Sequence, residues 1–520
     1  MDAAARTHHR SLSHPPANLI GGRWVPIEGD SLVSTNPARP DEIVWSGSPD
    51  VRAVHEAVAA ARAAFAQWSD WPRERRFDAL GRYRDLCADR VDDIAALICD
   101  EIGKVLWDAR AEAGALAAKV SITLDDALNS GLARVAGFEV AISDSRVGRA
   151  SFRPHGVMAV IGPFNFPAHL PNGHIVPALA MGNTVVLKPS DKAPAVGQLL
   201  AELLDEALCS VGAPDGVVNL VQGGGDIASA LTSHADLDGI LFTGSWSVGR
   251  RILEANLDHP GRIVALEMGG NNPAVILPDA DLRQAVIECV RSAFITTGQR
   301  CTCTRRVIVH EAVADRVIPA LCKAASNLIV GDPRADHPVF MGPIITREAR
   351  QAVLGAQTWF AKKGGGVLLE STAIDTPGGG WYLSPGVVRV DRFRKGSDDA
   401  GCDNEVFGPI VRVSVTESAD DAIEQANATR FGLAASIFTR DKSEADRFVR
   451  LSRAGCVNVN TGTAGASSRL PFGGLGLSGN HRPAGAFSLD YCAYPVASMI
   501  ESGDAATIPR GMRFEDSWVS

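Results

Sequence analysis

The stretch Val157-Met-Ala-Val-Ile-Gly-Pro-Phe-Asn-Phe-Pro167 begins the part of the chain whose pattern decides the fold. Its first five residues are uniformly apolar, as in a strand buried on both faces, and the run that follows predicts a loop. A helix is predicted through His174 to Met181, and residues 184–187 predict the next strand. Strands that alternate with helices in this way predict a parallel, doubly wound α/β sheet.

The alternation continues along the chain, with strands predicted at 217–221, 239–242 and 263–266. A second α/β series starts near residue 274, so we place a domain boundary near residue 266. Ligands of such sheets lie beyond the carboxyl ends of the strands. The polar or small residues that follow these strands are Asn165, Lys188, Asp191 and Gly244.

Length and composition narrow the class of protein. A chain of 520 residues is expected to form two or more domains, and 46% hydrophobic with 21% charged residues is ordinary for a globular enzyme. The net charge of −9 argues against nucleic acid or an anionic membrane as a partner. The ten cysteines have neither disulfide-scaffold nor zinc-site spacing, so we expect a reducing cytoplasm and no metal.

Cys301 is the candidate nucleophile, within Gly298-Gln-Arg-Cys-Thr-Cys303. Most cysteines are small buried hydrophobes. Gly298 allows a close backbone approach, and Arg300 would favour the thiolate. We therefore assign Cys301 to chemistry and Cys303 to packing.

Two further segments carry candidate chemistry. The strand 263–266 leads to Glu267 before a glycine turn, where partial desolvation would suit a general base. The alternative is a structural carboxylate that accepts amide hydrogen bonds from the loop. Gly244, Ser245 and Gly249 open the helix after the fourth strand of the series, where free backbone N–H groups suit a phosphate or a nearby nucleotide group.

Seven motifs in a fixed order resemble the aldehyde dehydrogenase superfamily over about residues 18–500. They are Pro163-Phe-Asn-Phe-Pro167, Lys188-Pro-Ser, Phe242-Thr-Gly-Ser245, Leu266-Glu-Met-Gly-Gly270, Gly298-Gln-Arg-Cys301, Glu405-Val-Phe-Gly-Pro409 and Pro471-Phe-Gly-Gly474. Runs such as Gly479-Asn-His-Arg-Pro483 resemble the group within it that oxidises N-succinylglutamate 5-semialdehyde.

The resemblance implies NAD-dependent oxidation of an acidic semialdehyde to its carboxylate. Cys301 would attack the aldehyde, Asn165 and the Cys301 N–H would hold the oxyanion, and Glu267 would activate water. The implied cofactor residues are Lys188 and Asp191 at the adenine ribose, and Glu405 and Phe407 at the nicotinamide end. The implied substrate-pocket residues are Phe164, Phe166, Arg300 and Phe472.

The resemblance also implies a domain organisation and a homodimer or homotetramer. We predict a disordered extension (1–17), an NAD-binding domain (18–130 and 154–266), a catalytic domain (267–470), a β-ribbon oligomerisation arm (131–153 and 484–500) and a C-terminal tail (501–520).

Several alternatives remain open. Asp191 stands where the superfamily usually has Glu, and Thr461-Gly462 stands where the succinylglutamate group has a lysine-containing pair, so a different semialdehyde is one alternative. A CoA-acylating enzyme is another, although Glu267 argues against it because a hydrolytic base would waste its thioester. A catalytically retired structural or binding homologue is a third. For an acidic substrate, we expect the cations to come from Arg300, Arg469, His169 and His174.

Overall fold

The structure is a computed structural model that describes residues 9–127, 130–503 and 506–520. Its strands are β1 Ala17–Ile20, β2 Arg23–Pro26, β3 Leu32–Asn36, β4 Arg39–Gly47, β5 Phe138–Ala141, β6 Arg146–Pro154, β7 Val157–Ile161, β8 Thr184–Lys188, β9 Val218–Leu220, β10 Gly239–Thr243, β11 Ile263–Glu267, β12 Asn272–Ile276, β13 Thr304–His310, β14 Gly366–Leu369, β15 Ala373–Ile374, β16 Tyr382–Leu383, β17 Gly386–Arg389, β18 Ile410–Thr416, β19 Ala434–Phe438, β20 Cys456–Val459, β21 Pro471–Phe472, β22 Ala484–Gly485 and β23 Ala493–Glu501.

The helices surround and connect these strands. They are α1 Arg52–Asp70, α2 Arg73–Asp89, α3 Val91–Ile102, α4 Leu106–Thr123, α5 Gly131–Arg134, α6 His169–Met181, α7 Pro194–Ser210, α8 Gly225–Thr232, α9 Trp246–Ala255, α10 Leu282–Phe294, α11 Glu311–Ser326, α12 Arg347–Lys362, α13 Ala419–Asn427 and α14 Lys442–Leu451. None of the helices in the described residues combines the length and the apolar composition needed to cross a membrane.

The first sheet has seven strands in the order β11-β10-β7-β8-β9-β1-β2. The strands from β7 to β11 run parallel, and the β1–β2 hairpin adds an antiparallel edge. Strands β7, β8 and β10 are buried along their whole length, as expected where helices cover both faces. The strand order reverses at β7, which confirms the predicted doubly wound sheet.

The second sheet also has seven strands, in the order β14-β17-β18-β13-β12-β19-β20. All its neighbours are parallel except β14 and β17. Strand β11 of the first sheet ends at Glu267, and β12 of the second begins at Asn272. The chain therefore changes sheets directly after the candidate base, next to the predicted boundary.

A separate three-stranded sheet, β23-β6-β5, corresponds to the predicted ribbon. The late strand pairs with the ribbon as expected, from Ala493 with Pro154 to Glu501 with Arg146. Two bounds were wrong. Gly131–Arg134 is a helical turn, because the Ser130 hydroxyl accepts a hydrogen bond from the Ala133 N–H.

The second wrong bound is the start of the late segment, which we placed at residue 484. Ala484–Gly485 instead pairs with Pro471–Phe472. Leu489 and Cys492 are buried in the core. Only Ala493–Glu501 belongs to the three-stranded sheet, because the residues before it are held by packing elsewhere.

The predicted disordered extension is wrong for residues 9–17, and residues 1–8 lie outside the described part of the chain. Leu12 and Ala17 are buried. The backbone N–H groups of Ser13 and His14 donate to the Glu202 carboxylate at 2.8 and 3.1 Å. This segment is polar in composition, but α7 supplies buried hydrogen-bond partners for its backbone.

Candidate active site

The turn that carries Cys301 has an unusual backbone. After α10, the residues Thr296, Thr297 and Gly298 have φ values of 53°, 56° and 71°. A left-handed conformation costs a residue with a Cβ about 1–2 kcal/mol and is rare for β-branched side chains. At Gly298 a Cβ would lie 2.2 Å from the Gly408 carbonyl oxygen. Two strained threonines therefore stand just before the candidate nucleophile.

Side-chain hydrogen bonds from outside the turn hold it in this conformation. The Thr296 hydroxyl donates to Asp108 Oδ2 at 2.6 Å and accepts from Arg300 Nε at 2.7 Å. Asp108, on α4, also forms an ion pair with Arg300 at 2.6 Å. The Thr297 hydroxyl donates to the Gly342 carbonyl at 2.8 Å. The surrounding structure thus stabilises a backbone that would otherwise relax.

Asn165, the predicted oxyanion ligand, contacts this turn. Its Nδ2 donates to the Gln299 carbonyl at 2.9 Å, two residues before Cys301. On the other side, Asn272 Nδ2 donates to the carbonyls of Cys301 and Cys303 at 2.7 and 2.8 Å. Cys303 is fully buried, as expected for a packing residue. The Asn165 amide thus contacts the backbone two residues before the candidate nucleophile, and Asn272 contacts the nucleophile's own carbonyl.

The electrostatics of Cys301 differ from our expectation. Burial raises the pKa of the Cys301 thiol, the carboxylates of Glu267 and Glu405 raise it further, and Arg300 opposes them only weakly. The Arg300 charge is directed to Asp108, so it does not hold Cys301 as a thiolate. The thiol must therefore transfer its proton to a base when it reacts.

Glu267 has the environment of such a base. It is 3% exposed, and its Oε1 is buried without a hydrogen-bond partner among the described residues. A Cβ at Gly473 would lie 2.6 Å from this oxygen. Burial raises the pKa of Glu267 well above its ordinary value. A structural carboxylate would accept loop amide bonds at both oxygens, so this geometry favours the general-base interpretation.

Glu405 also faces the nucleophile region. Its Oε1 accepts from the Gly270 N–H at 3.1 Å, and a Cβ at Gly269 would lie 1.8 Å from its Oε2. Burial raises the pKa of Glu405, although the Arg305 charge opposes this. The glycine turn after Glu267 is therefore shaped by the close approach of this second carboxylate.

A cavity of about 190 Å³ reaches Cys301. The residues that line it are Phe166, His169, Leu170, Arg300, Cys301, Thr302, Ala464, Ala466, Ser467, Ser468, Phe472, Ala484 and Gly485. Phe166, Arg300 and Phe472, three of the predicted substrate-pocket residues, line this cavity. Phe164 does not, because its ring packs edge-on against Phe407 with centroids 5.9 Å apart. Its assignment to the substrate pocket was wrong.

The expected cations are mostly not available to a substrate. Burial lowers the pKa of His169 to about 4 and that of His174 to about 3, so both rings are neutral at pH 7. His174 is buried, and its Nδ1 forms a hydrogen bond with the Tyr491 hydroxyl at 2.8 Å. Arg469 is exposed and does not line the cavity. Of the four residues, only Arg300 brings a charged side chain to the cavity wall, and that side chain is already paired with Asp108.

Two of the predicted cofactor residues, Lys188 and Asp191, lie at the carboxyl end of β8 in the first sheet and just after it. Lys188 ends β8, and burial lowers its pKa to about 8. It forms no ion pair with another described residue. Asp191, three residues on, pairs instead with Lys192 at 3.1 Å. The two predicted ribose ligands are thus near each other, but the carboxylate has a cation of its own.

The remaining predicted cofactor residues of the first sheet lie at the start of α9, after the carboxyl end of β10. The Gly244 N–H donates to the Glu267 carbonyl at 2.9 Å, and the exposed Ser245 hydroxyl hydrogen-bonds the Ser247 hydroxyl at 2.9 Å. Gly249 is buried, and a Cβ there would lie 2.4 Å from the Met268 sulfur. Close packing of α9 on the loop after β11 therefore explains Gly249.

Asp108 was missed in the sequence. It belongs to an ordinary helix and lies 188 residues before Thr296, so no local pattern marks it. Ser467 and Ser468 at the cavity were also missed as lining residues, although the run of small residues around them indicated a loop. Only the folded chain brings these groups to Cys301.

Comparison with known proteins agrees with this geometry. The sequence profile of the aldehyde dehydrogenase family matches residues 24–495. N-succinylglutamate 5-semialdehyde dehydrogenase 2 of Caulobacter vibrioides is 44% identical over 487 residues, which cover 92% of this chain and 95% of that protein.

Solved structures give the same result. An indole-3-acetaldehyde dehydrogenase in complex with NAD⁺ has a TM-score of 0.87 at 27% identity, covering 94% of this chain and 97% of that one. The NADP-dependent glyceraldehyde-3-phosphate dehydrogenase of Bacillus halodurans, in complex with NADP, has a TM-score of 0.85 at 29% identity, covering 94% of this chain and all of the other. On the family match, the relative and the arrangement around Cys301, this chain belongs to the aldehyde dehydrogenase family.

Proposed function

We propose that the protein oxidises an acidic semialdehyde to its carboxylate with NAD, and that N-succinyl-L-glutamate 5-semialdehyde is the substrate. The observation that carries the reaction type is the buried, unpartnered Glu267 oxygen in the same site as Cys301. The substrate rests on the name of the Caulobacter relative and on the charge and hydroxyl groups of the cavity.

The reaction divides between three side chains. The Cys301 sulfur forms a bond to the aldehyde carbon, and the oxygen that becomes negative is held by Asn165 Nδ2 and the Cys301 N–H. Oxidation of this adduct leaves a thioester on Cys301. Glu267 then accepts a proton from water as the water attacks the thioester carbon, and returns it to the departing Cys301 sulfur, so that the acid and the thiol are released.

A nicotinamide dinucleotide fits the residues of the first sheet. Lys188 is buried at a strand end without an ion pair among the described residues, and Ser245 precedes the ten-residue helix α9. Glu405 would hold the nicotinamide ribose. When bound, the nicotinamide supplies the hydride acceptor.

Asp191 supports NAD rather than NADP, because its carboxylate would repel a 2′-phosphate. Lys192 partly offsets that charge, since the two side chains pair at 3.1 Å. The preference is therefore expected to be moderate rather than absolute. Binding of NAD and NADP to the free enzyme, measured by calorimetry, tests it, and tighter binding of NADP would contradict it.

The acidic substrate is supported by the cavity's polar groups. Arg300 lines it, and its guanidinium lies 4.9 Å from the centre of the Phe166 ring. The hydroxyl-bearing Thr302, Ser467 and Ser468 also line the cavity and can donate to a carboxylate. A cavity with this lining suits a semialdehyde whose chain is apolar near the aldehyde and charged at its far end.

NADH production from a panel of aldehydes, with and without CoA, tests the reaction and the substrate together. N-succinylglutamate semialdehyde is expected to exceed hexanal in kcat/KM by about 10²-fold or more, since a paired charge contributes a few kcal/mol and 1.36 kcal/mol is tenfold. Equal turnover of hexanal would contradict the acidic substrate. Strict dependence on CoA would favour the acylating alternative over Glu267-assisted hydrolysis.

We further propose that β5, β6 and β23 form an arm through which copies of the chain associate as a homodimer or homotetramer. Phe138 on β5 is 69% exposed and Met499 on β23 is 61% exposed. Apolar side chains of this size favour burial in an interface. Light scattering of wild type and of Phe138→Glu tests whether the arm holds the copies together.

All ten cysteines are free, which supports a cytoplasmic location.

A further inference from the structure

Lys119 is a buried cation directly behind the cavity wall. It lies on α4 and is 2% exposed. Its Nζ donates to the Gly485 carbonyl at 2.9 Å and to the Ser488 hydroxyl at 2.5 Å. Gly485 lines the cavity. The ammonium is therefore one peptide group away from the space that reaches Cys301.

Lys119 differs from the other buried cations around the cavity in having no carboxylate. Lys104 pairs with Glu112, and Arg300 pairs with Asp108 at 2.6 Å. In the described part of the chain, no Asp or Glu forms an ion pair with Lys119. Burial lowers the pKa of Lys119 to about 8. A buried charge without a counterion is costly, and neutral donors could make the same two hydrogen bonds.

His169 stands on the same wall and is also incompletely satisfied. Its Nδ1 is buried without a hydrogen-bond partner among the described residues, and the residue lines the cavity. Burial, with the positive charges of Lys119 and Lys104, lowers its pKa, so the ring stays neutral and can donate one N–H. A neutral donor with a cation behind it is an arrangement that suits a carboxylate.

We infer that Lys119 sets the specificity of this site for an anionic substrate: its charge acts across the Gly485 wall on the carboxylate end, which His169 and Arg300 contact from inside the cavity. The inference rests on the proposed function and extends it, because it assigns the preference to a lysine that does not touch the substrate. The ligand class is a semialdehyde with at least one carboxylate remote from the aldehyde.

Lys119→Met removes the charge, and Lys119→Gln removes it while keeping a donor for Gly485 and Ser488. The exposed Lys362→Met on α12 is the matched control. The measured quantity is the ratio of kcat/KM for N-succinylglutamate semialdehyde to that for hexanal. We expect this ratio to fall about tenfold or more in both Lys119 variants and to stay at the wild-type value in the control.

A ratio that stays at the wild-type value in a folded Lys119 variant would overturn the inference, because Lys119 would then be a structural residue only. The proposed function is tested separately in the wild type. If wild-type enzyme does not prefer the acidic aldehyde, the proposed substrate class is wrong.

A second readout does not depend on turnover. N-succinylglutamate should protect Cys301 from alkylation by iodoacetamide in the wild type, at a concentration about tenfold lower than in Lys119→Gln. Equal protection in the two proteins would again overturn the role of Lys119, and no protection in either would count against the acidic ligand itself.

Discussion

Replacement of Asp108 by asparagine tests whether α4 holds the strained turn before Cys301. Burial opposes ionisation of Asp108, but Lys104 and Arg300 bring its pKa below the ordinary value, so it is an anion at neutral pH. The Asp108→Asn change would keep the size of the side chain and remove the charge that pairs with Arg300 at 2.6 Å. The bond to Thr296 would become a weaker neutral one.

The magnitude follows from the burial and the strain. Removing one partner of a fully buried ion pair costs about 3–5 kcal/mol. The Arg300 side chain is 14% exposed, so partial solvation should reduce the loss of unfolding free energy to about 2–3 kcal/mol. The left-handed conformations of Thr296 and Thr297 add about 2–4 kcal/mol of strain, which drives the weakened turn to relax. A shift of about 1 Å at the nucleophile costs about 10²-fold in rate.

Steady-state kinetics and chemical denaturation measure the two effects side by side. We expect Asp108→Asn to lower kcat about 10²-fold with little change in the affinity for NAD. Asp92→Asn is the control, because the Asp92–Arg110 pair is exposed and such pairs contribute about 0–1 kcal/mol. If Asp108→Asn lost stability but kept kcat within about twofold of wild type, the idea that this contact positions Cys301 would be refuted.

Three further outcomes are expected. In Glu267→Gln a single turnover should release up to one NADH per site and stall with the acyl group on Cys301, as mass spectrometry would show, and the burst should be slower than in wild type if Glu267 also takes the proton of Cys301. An adduct on Cys303 would reverse the roles of the two cysteines. The raised pKa of Glu267 means that its contribution to stability is present below its ordinary pKa and is lost as the pH rises through the raised value, so Glu267→Gln should increase Tm at pH 8 and change it little at pH 4. Asp191→Asn should narrow the preference for NAD over NADP in binding assays, and an unchanged ratio would show that Asp191 does not face the ribose.

The fold and the positions of the central residues could be predicted because the sequence signals for the strands are local. Buried strands read as short apolar runs, and the residues after them, such as Asn165 and Lys188, fall at one edge of a parallel sheet by topology alone. Glu267 was placed in the same way, at the end of β11. Its role was not decided by sequence, because the absence of a hydrogen-bond partner is a property of the folded site.

The errors came from contacts between distant parts of the chain. Arg300 forms an ion pair with Asp108, and the ring of Phe164 packs against the ring of Phe407. Histidine is a residue type that can carry a positive charge, but burial lowers the pKa of His169 and keeps its ring neutral. These partners lie far apart in the sequence, so no local stretch contains both members of a pair. The sequence provides residue types and their spacing, and neither shows how far burial removes a side chain from water and shifts its pKa.

The docked segment of residues 9–16 has a practical consequence. Two buried groups of α7 depend on it: the Glu202 carboxylate accepts two of its backbone N–H groups, and the Gln198 amide donates to the His14 carbonyl at 3.0 Å. The His14 ring also covers Trp24, with centroids 4.5 Å apart. A protease cut between Pro16 and Ala17 would leave the sheets intact but would remove the hydrogen-bond partners of these groups. The free energy of unfolding would fall by about 1–3 kcal/mol for each group left unsatisfied. The storage stability and the thermal stability of the purified protein should therefore depend on keeping residues 9–16 attached, although they lie far from Cys301 in the sequence.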